Sequence, residues 1–324
     1  DRTYKHMCDH KMGGSAIFPG MFWVEMVLEA VKGAPITLTN VEFKSMLKIP
    51  AASSGENPAL IALNLTEEQD GVRSFVVRSC PSREKWDEDP VLVEHCTGKV
   101  VKAELVNEDG SLRQGFKPEA YGLLAELDLK DIGKSGLDEL ITRHSQCEHA
   151  STENFYGTHC VEGQMEYLET FQLVESVHVD PKTMSILGKL NYDNAAWEKS
   201  GGIFGVQLLD AILHQTLILA THSAIYYAGG FDACHFIRTP ATKELYVHFT
   251  LDKYRLQIGR KKKVGDFALY DGTGQLVLYM QGFFTVFGSF TDNYKLCDLL
   301  WQPFEAPALP TEKALHAHSL EALP

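Results

Sequence analysis

The sequence predicts an α+β protein in which one unit, a long apolar helix wrapped by an antiparallel sheet, occurs twice. Three observations carry that prediction. Two stretches of apolar, helix-like patterning, residues 18–32 and 204–227, lie far apart in a chain of 324 residues. Each is accompanied by runs rich in β-branched and aromatic residues that end in turn chemistry. A composition that is 44% hydrophobic and 23% charged fills one large core or two medium ones, and no single-domain barrel pattern is visible. Internal duplication of one helix-in-sheet unit is the economical reading.

Taken in order, residues 1–9 read as the end of a strand leading to His10. The helix over 18–32 has Pro19 in its first turn, where proline is tolerated, and Gly33-Ala34-Pro35 stops it. Strand-like runs follow at 36–47, 60–65, 72–79 and 91–103. Residues 107–118 are polar, contain Asp109-Gly110, and read as a linker; 121–127 and 136–143 are short helical candidates. Strand-like residues 171–179 and 184–190 lead to the second long helix, 204–227, which Gly229-Gly230 ends. Further strands are expected at 246–251, 254–258, 263–270 and 275–287, with Gly272-Thr273-Gly274 as a hairpin turn. Beyond Asp292 the chain is Pro/Ala-rich and reads as linker. The expected organisation is an N-terminal unit over 1–106, a linker over 107–118, a C-terminal unit over 119–290 and a C-terminal linker over 291–324.

A net charge of −13 argues against nucleic acid or an anionic membrane as the main partner. The one dense basic run, Arg260-Lys261-Lys262-Lys263, lies between strand-like segments and reads as a solvated hairpin tip. The seven cysteines are scattered and odd in number, which fits reduced thiols and a cytoplasmic location. The most apolar stretch, 203–228, holds Gln207, Asp210, His214, Gln215 and His222, too polar for a membrane span.

Two places carry candidate chemistry. In the first, His10 precedes Gly13-Gly14, and the turn runs straight into the Phe18-Pro19-Gly20 helix start. A base beside free backbone N–H groups is what proton abstraction next to a carbonyl requires. In the second, Asp210 and His214 stand four residues apart, on one face of the apolar helix. An ionisable group there is costly unless paired, and a protonated carboxyl in such surroundings is what a general acid needs. On spacing alone, a buried Asp–His pair with no catalytic part stays equally open. Cys147, His149, His159 and Cys160 match no common zinc spacing, His95-Cys96 sits in a strand pattern, and no Gly-rich phosphate loop follows a strand.

His10-x-x-x-Gly14-x-x-x-x-Pro19 resembles the HxxxGxxxxP motif of dehydratase domains in type I polyketide synthases, and Asp210-x-x-x-His214 is similar to their DxxxQ/H motif. Phe155-Tyr156, Gly163, Phe171-Gln172 and Leu299-Leu300-Trp301-Gln302-Pro303 fit the same pattern. The family's YGPxF segment reads here as Tyr167-Leu168-Glu169-Thr170-Phe171. The resemblance implies a double hotdog, with His10 as base and Asp210 as acid meeting across one site. Gly14, Pro19, His214 and Tyr167 would support them. It implies no cofactor, because the substrate rides on the phosphopantetheine arm of an acyl carrier protein. It also implies other domains of the same synthase and a second copy of the chain as partners. A product-template-type cyclase, a double-bond isomerase and a non-catalytic hotdog used for docking or dimerisation remain the alternatives.

Overall fold

A computed structural model describes residues 6–50, 59–68, 71–80, 92–101, 129–161, 164–192, 202–219, 225–251, 257–258 and 261–288. The first unit opens with a small hairpin, β1 (His10–Met12) and β2 (Ser15–Ala16), and continues into helix α1 (Gly20–Val31). Strands β3 (Ile36–Phe43), β4 (Leu60–Glu67), β5 (Val72–Cys80) and β6 (Val93–Val101) follow. The second unit starts with helix α2 (Gly133–Ser145), strand β7 (Glu148–Ser151) and a helical segment that passes into a π-helix at Phe155–Cys160. Then come β8 (Met165–Tyr167), a 3-10 turn (Glu169–Phe171), β9 (Val174–Asp180) and β10 (Ser185–Asn191). Helix α3 (Val206–His214) is followed by β11 (Ile225–Phe236), β12 (Glu244–Leu251), β13 (Gln257–Ile258), β14 (Lys261–Asp271) and β15 (Leu276–Gly288).

One antiparallel sheet runs through both units in the order β4-β5-β6-β3-β11-β15-β14-β12-β10-β9-β7, with β13 paired to β14. The seam between units is β3 against β11, where Gly230 pairs with Glu42 and Phe236 with Ile36. Gly230 sits there at φ 140°, and a Cβ on it would lie 1.9 Å from the Val41 carbonyl oxygen. Only glycine allows the two backbones to come that close. Helices α1 and α3 are each buried against this sheet: Met21, Trp23, Val24, Val27 and Leu28 of α1 are in the core, as is every residue of α3. A helix apolar on nearly all sides is stable only where sheet and neighbouring helix cover it together.

The duplication read from the sequence is the architecture observed. The expected linkers 107–118 and 291–324 and the helix over 121–127 lie outside the described residues. Several details differ. The second long helix does not reach residue 227: α3 ends at His214, tightens into a 3-10 segment at Gln215–Leu219, and β11 begins at Ile225. Ile225-Tyr226-Tyr227 are strand formers, and a short apolar run has no periodicity that separates strand from buried helix. Gly229-Gly230 therefore mark a register shift inside β11, not a helix stop. Residues 171–173 belong to a turn, so β9 starts at Val174. His6 and Met7 are helical, and the strand starts only at His10. The basic run is not simply a tip: Lys261–Lys263 form the first residues of β14, paired with Val286 to Phe284 of β15. Proline is also one step earlier than expected, with Pro19 extended (ψ 148°) at the N-cap of α1.

Candidate active site

His10 is held by its own hairpin. Gly13 and Gly14, at φ 53° and 75°, form the two-residue turn between β1 and β2 that requires positive φ at both central positions. The chain then returns so that the Ile17 carbonyl lies 3.0 Å from His10 Nδ1. A carbonyl only accepts, so Nδ1 carries the hydrogen and Nε2 is left with its lone pair. On the other side β1 pairs with β8, setting His10 opposite Tyr167. The imidazole is packed against the rings of Tyr167 and Phe171, with centroids 5.4 Å away in both cases. Burial pushes its pKa down and outweighs the opposing pull of Asp210, so His10 is neutral near pH 7.

Asp210 comes from the other unit. It lies mid-way along α3 with its carboxylate aimed at the hairpin, and Oδ2 stands 3.6 Å from His10 Nε2. His214, one turn on, places its Nε2 2.9 Å from the same oxygen. Tyr167 lies over the His214 ring at a centroid distance of 3.8 Å. Tyr156, on the π-helix, brings its hydroxyl to 3.4 Å from His214 Nδ1. The three titratable side chains are almost fully buried, at 4%, 6% and 1% exposure for His10, Asp210 and His214. A base with a bare nitrogen and a carboxyl oxygen thus face each other in an enclosed site, the arrangement that acid–base chemistry on one small group needs.

The structure brings His10, Asp210, His214 and Tyr167 together, and separates two expected members. Gly14 is exposed at the tip of the hairpin, past the end of β1, where its positive φ allows the turn. Pro19 shapes the entry to α1 and touches neither His10 nor Asp210 through any polar group. The replaced YGPxF segment is accommodated without strain: Leu168 is extended at φ −89°, where no glycine is needed, and Thr170 donates to Asp9 Oδ2 at 2.7 Å.

Three residues that matter to this geometry carried no role in the sequence reading. Phe171 and Tyr156 were visible only as part of a resemblance. Glu25 was not visible as a functional position at all. It is 4% exposed in α1. Its carboxylate accepts the backbone N–H groups of Ile203 and of Phe204, the latter at 3.1 Å, at the start of α3. The signal that locates it is a lone carboxylate on the apolar face of a buried helix, the same signal that locates Asp210.

The other candidate groups fall into structural roles. His95 is stapled by Ser79 Oγ at 2.7 Å and the Ser45 carbonyl at 2.9 Å, and it stacks on Trp23. His149 stacks on His178, and Cys160 is buried with its thiol pKa pushed up. Among the described residues no three His, Cys, Asp or Glu side chains are grouped to hold a metal ion.

Residues 2–80 match the sequence family of the polyketide synthase dehydratase domain. No curated protein matches the chain significantly. The dehydratase domain from the CurJ module of curacin polyketide synthase is similar over 89% of both chains, at TM-score 0.65 and 20% identity. The chain has the double-hotdog fold of polyketide synthase dehydratase domains. A trans-AT polyketide synthase dehydratase domain from Brevibacillus brevis shares this dehydratase fold, over 88% of this chain and 90% of that one, at TM-score 0.64 and 20% identity. Other solved chains with it include two inactive variants of the CurK dehydratase. One has a histidine replaced by phenylalanine (TM-score 0.63, 14% identity, 88% of both chains). The other has an aspartate replaced by asparagine (TM-score 0.65, 15% identity, 89% of this chain and 90% of that one).

Proposed function

We propose that this chain removes water from a β-hydroxyacyl thioester held on the phosphopantetheine arm of an acyl carrier protein, leaving an α,β-unsaturated acyl chain during polyketide synthesis. The observation that carries the proposal is the 3.6 Å approach of His10 Nε2, from one unit, to Asp210 Oδ2, from the other. The two inactive CurK variants add support, since one lacks a histidine and the other an aspartate.

In this reading the lone pair on His10 Nε2 takes the proton from the carbon next to the thioester carbonyl. The N-terminal end of α1, which begins shortly after the Ile17 anchor of His10, offers positive potential to the carbonyl oxygen as enolate character develops. Asp210 gives its hydrogen to the β-hydroxyl, the carbon–oxygen bond breaks, and water leaves. The site then holds a protonated His10 beside an ionised Asp210. Return of the proton from Nε2 to Oδ2 restores both groups. His214 and Tyr167 hold the carboxyl in place. The chemistry calls for no cofactor, and the chain would work beside other domains of its synthase, as a homodimer.

The full chain incubated with a carrier-bound β-hydroxyacyl substrate tests this by intact-mass analysis of the carrier. Loss of one water with the acyl group still attached supports dehydration. Release of free acid, or an unaltered hydroxyacyl chain, rejects it. Conversion of a poly-β-keto surrogate instead points to cyclisation.

A further inference from the structure

Tyr156 makes a contact that the proposed reaction does not explain. It sits in the π-helical segment Phe155–Cys160, a rare backbone geometry that concentrates at functional sites. Among the polar neighbours of its buried hydroxyl are the Val174 N–H at 3.1 Å, the Phe171 carbonyl at 3.2 Å and His214 Nδ1 at 3.4 Å. Burial keeps the phenol protonated. A hydroxyl has one hydrogen to give. Val174 N–H donates to it, and the hydroxyl donates to Phe171, whose oxygen has no hydrogen to offer. The hydrogen between Tyr156 and His214 therefore comes from Nδ1. A neutral imidazole with Nδ1–H has a bare Nε2. In a neutral His214 that bare nitrogen, 2.9 Å from Asp210 Oδ2, leaves the hydrogen of the bond to the carboxyl. His10 has the same tautomer, fixed by Ile17, and faces the same oxygen.

We propose that Tyr156 is a positioning residue: its hydroxyl fixes the Nδ1–H tautomer of His214, and through it stations the acid hydrogen on Asp210 Oδ2. The role in turnover rests on the dehydratase reading, whereas the tautomer does not. The test is a long-range 1H–15N spectrum of the full chain labelled at histidine, with His214 assigned by its loss in His214→Gln. Wild-type His214 should show a protonated Nδ1 and a bare Nε2, and Tyr156→Phe should convert it to the Nε2–H form. With the donor gone, Tyr156→Phe should also lower kcat roughly tenfold with KM unchanged. A purely structural role would reduce turnover and leave the tautomer of His214 unchanged. An Nε2–H tautomer in the wild type, or a tautomer unmoved by Tyr156→Phe, overturns the proposal. If Tyr156→Phe does not fold, the wild-type spectrum decides alone. An Nδ1–H His214 in a chain that leaves hydroxyacyl substrates intact would support the tautomer and reject the dehydration.

Discussion

Glu25 on α1 accepts the backbone N–H of Phe204, 3.1 Å away, where the chain turns into α3. The central helix of one unit thereby holds the first turn of the helix that carries Asp210 in the other. The helix start at Gly205 makes no side-chain cap of its own, so this carboxylate from a distant helix does that work. Removing it leaves the buried N–H of Phe204 and the part-buried N–H of Ile203 without this acceptor. Glu25→Ala should cost about 3 kcal/mol of stability. It should also lower turnover, because Asp210 shifts with its helix. Glu25→Gln keeps an acceptor oxygen and should retain most of both. Urea unfolding and initial rates on the two variants check this.

The seam between β3 and β11 predicts a second vulnerable position. Gly230→Ala would drive a methyl group into the Val41 carbonyl, at a distance no backbone shift confined to one strand relieves. Strain of this kind with a disrupted ladder costs about 3 kcal/mol or more. The expected result is a chain that expresses poorly or melts far below the wild type. A near-normal melting temperature would show that the two units are less tightly joined than the β3–β11 register indicates.

The acid limb of activity follows from His10. The base must be neutral, and burial lowers its pKa from 6.5. Activity as kcat/KM should therefore hold steady through neutral pH and fall only as pH drops through a midpoint below 6.5. A midpoint above 6.5 would mean that the ring gains more from Asp210 than it loses by burial.

Stability in acid carries a separate signature. His235 and His248 are buried neutral, with pKa lowered to about 4 by burial. In the unfolded chain such a ring titrates at 6.5. Between these values the unfolded state binds more protons, so the contribution of each is complete above 6.5 and is lost as pH falls toward 4. The slope is up to about 1.4 kcal/mol per pH unit for each ring. Glu25 and Glu29, whose carboxyl pKa values burial raises, act in the opposite sense. Comparing urea midpoints at several pH values for wild type and His248→Gln isolates the histidine part: the variant should show the shallower slope, and equal slopes would refute it.

Much of this was legible in the residues, and the misses have physical causes. The α1 helix, the hairpin at Gly272 and the first set of strands follow from local periodicity and turn chemistry. His10 and Asp210 stand out because a titratable group in apolar surroundings is costly and needs a reason. The end of α3 was not legible, because the run from Ile225 is as apolar as the helix before it and only pairing with β3 and β15 makes it a strand. The part of Gly14 in the turn was not legible either, because glycines that free a backbone for a ligand and glycines that form a tight turn look alike in sequence. Glu25 and Tyr156 were hidden for another reason. Their importance lies in partners 178 and 58 residues away, and no local pattern records those distances.

The most direct test of the divided site follows α-hydrogen exchange and elimination separately, in deuterated water, on a carrier-bound β-hydroxyacyl chain. Wild type should take up deuterium and lose water. His10→Ala should do neither, and Asp210→Asn should lose water at least ~10²-fold more slowly while His10 remains able to remove the α-hydrogen. Exchange or elimination at wild-type rates in His10→Ala, or normal elimination in Asp210→Asn, would contradict the assignment of base and acid to these two residues.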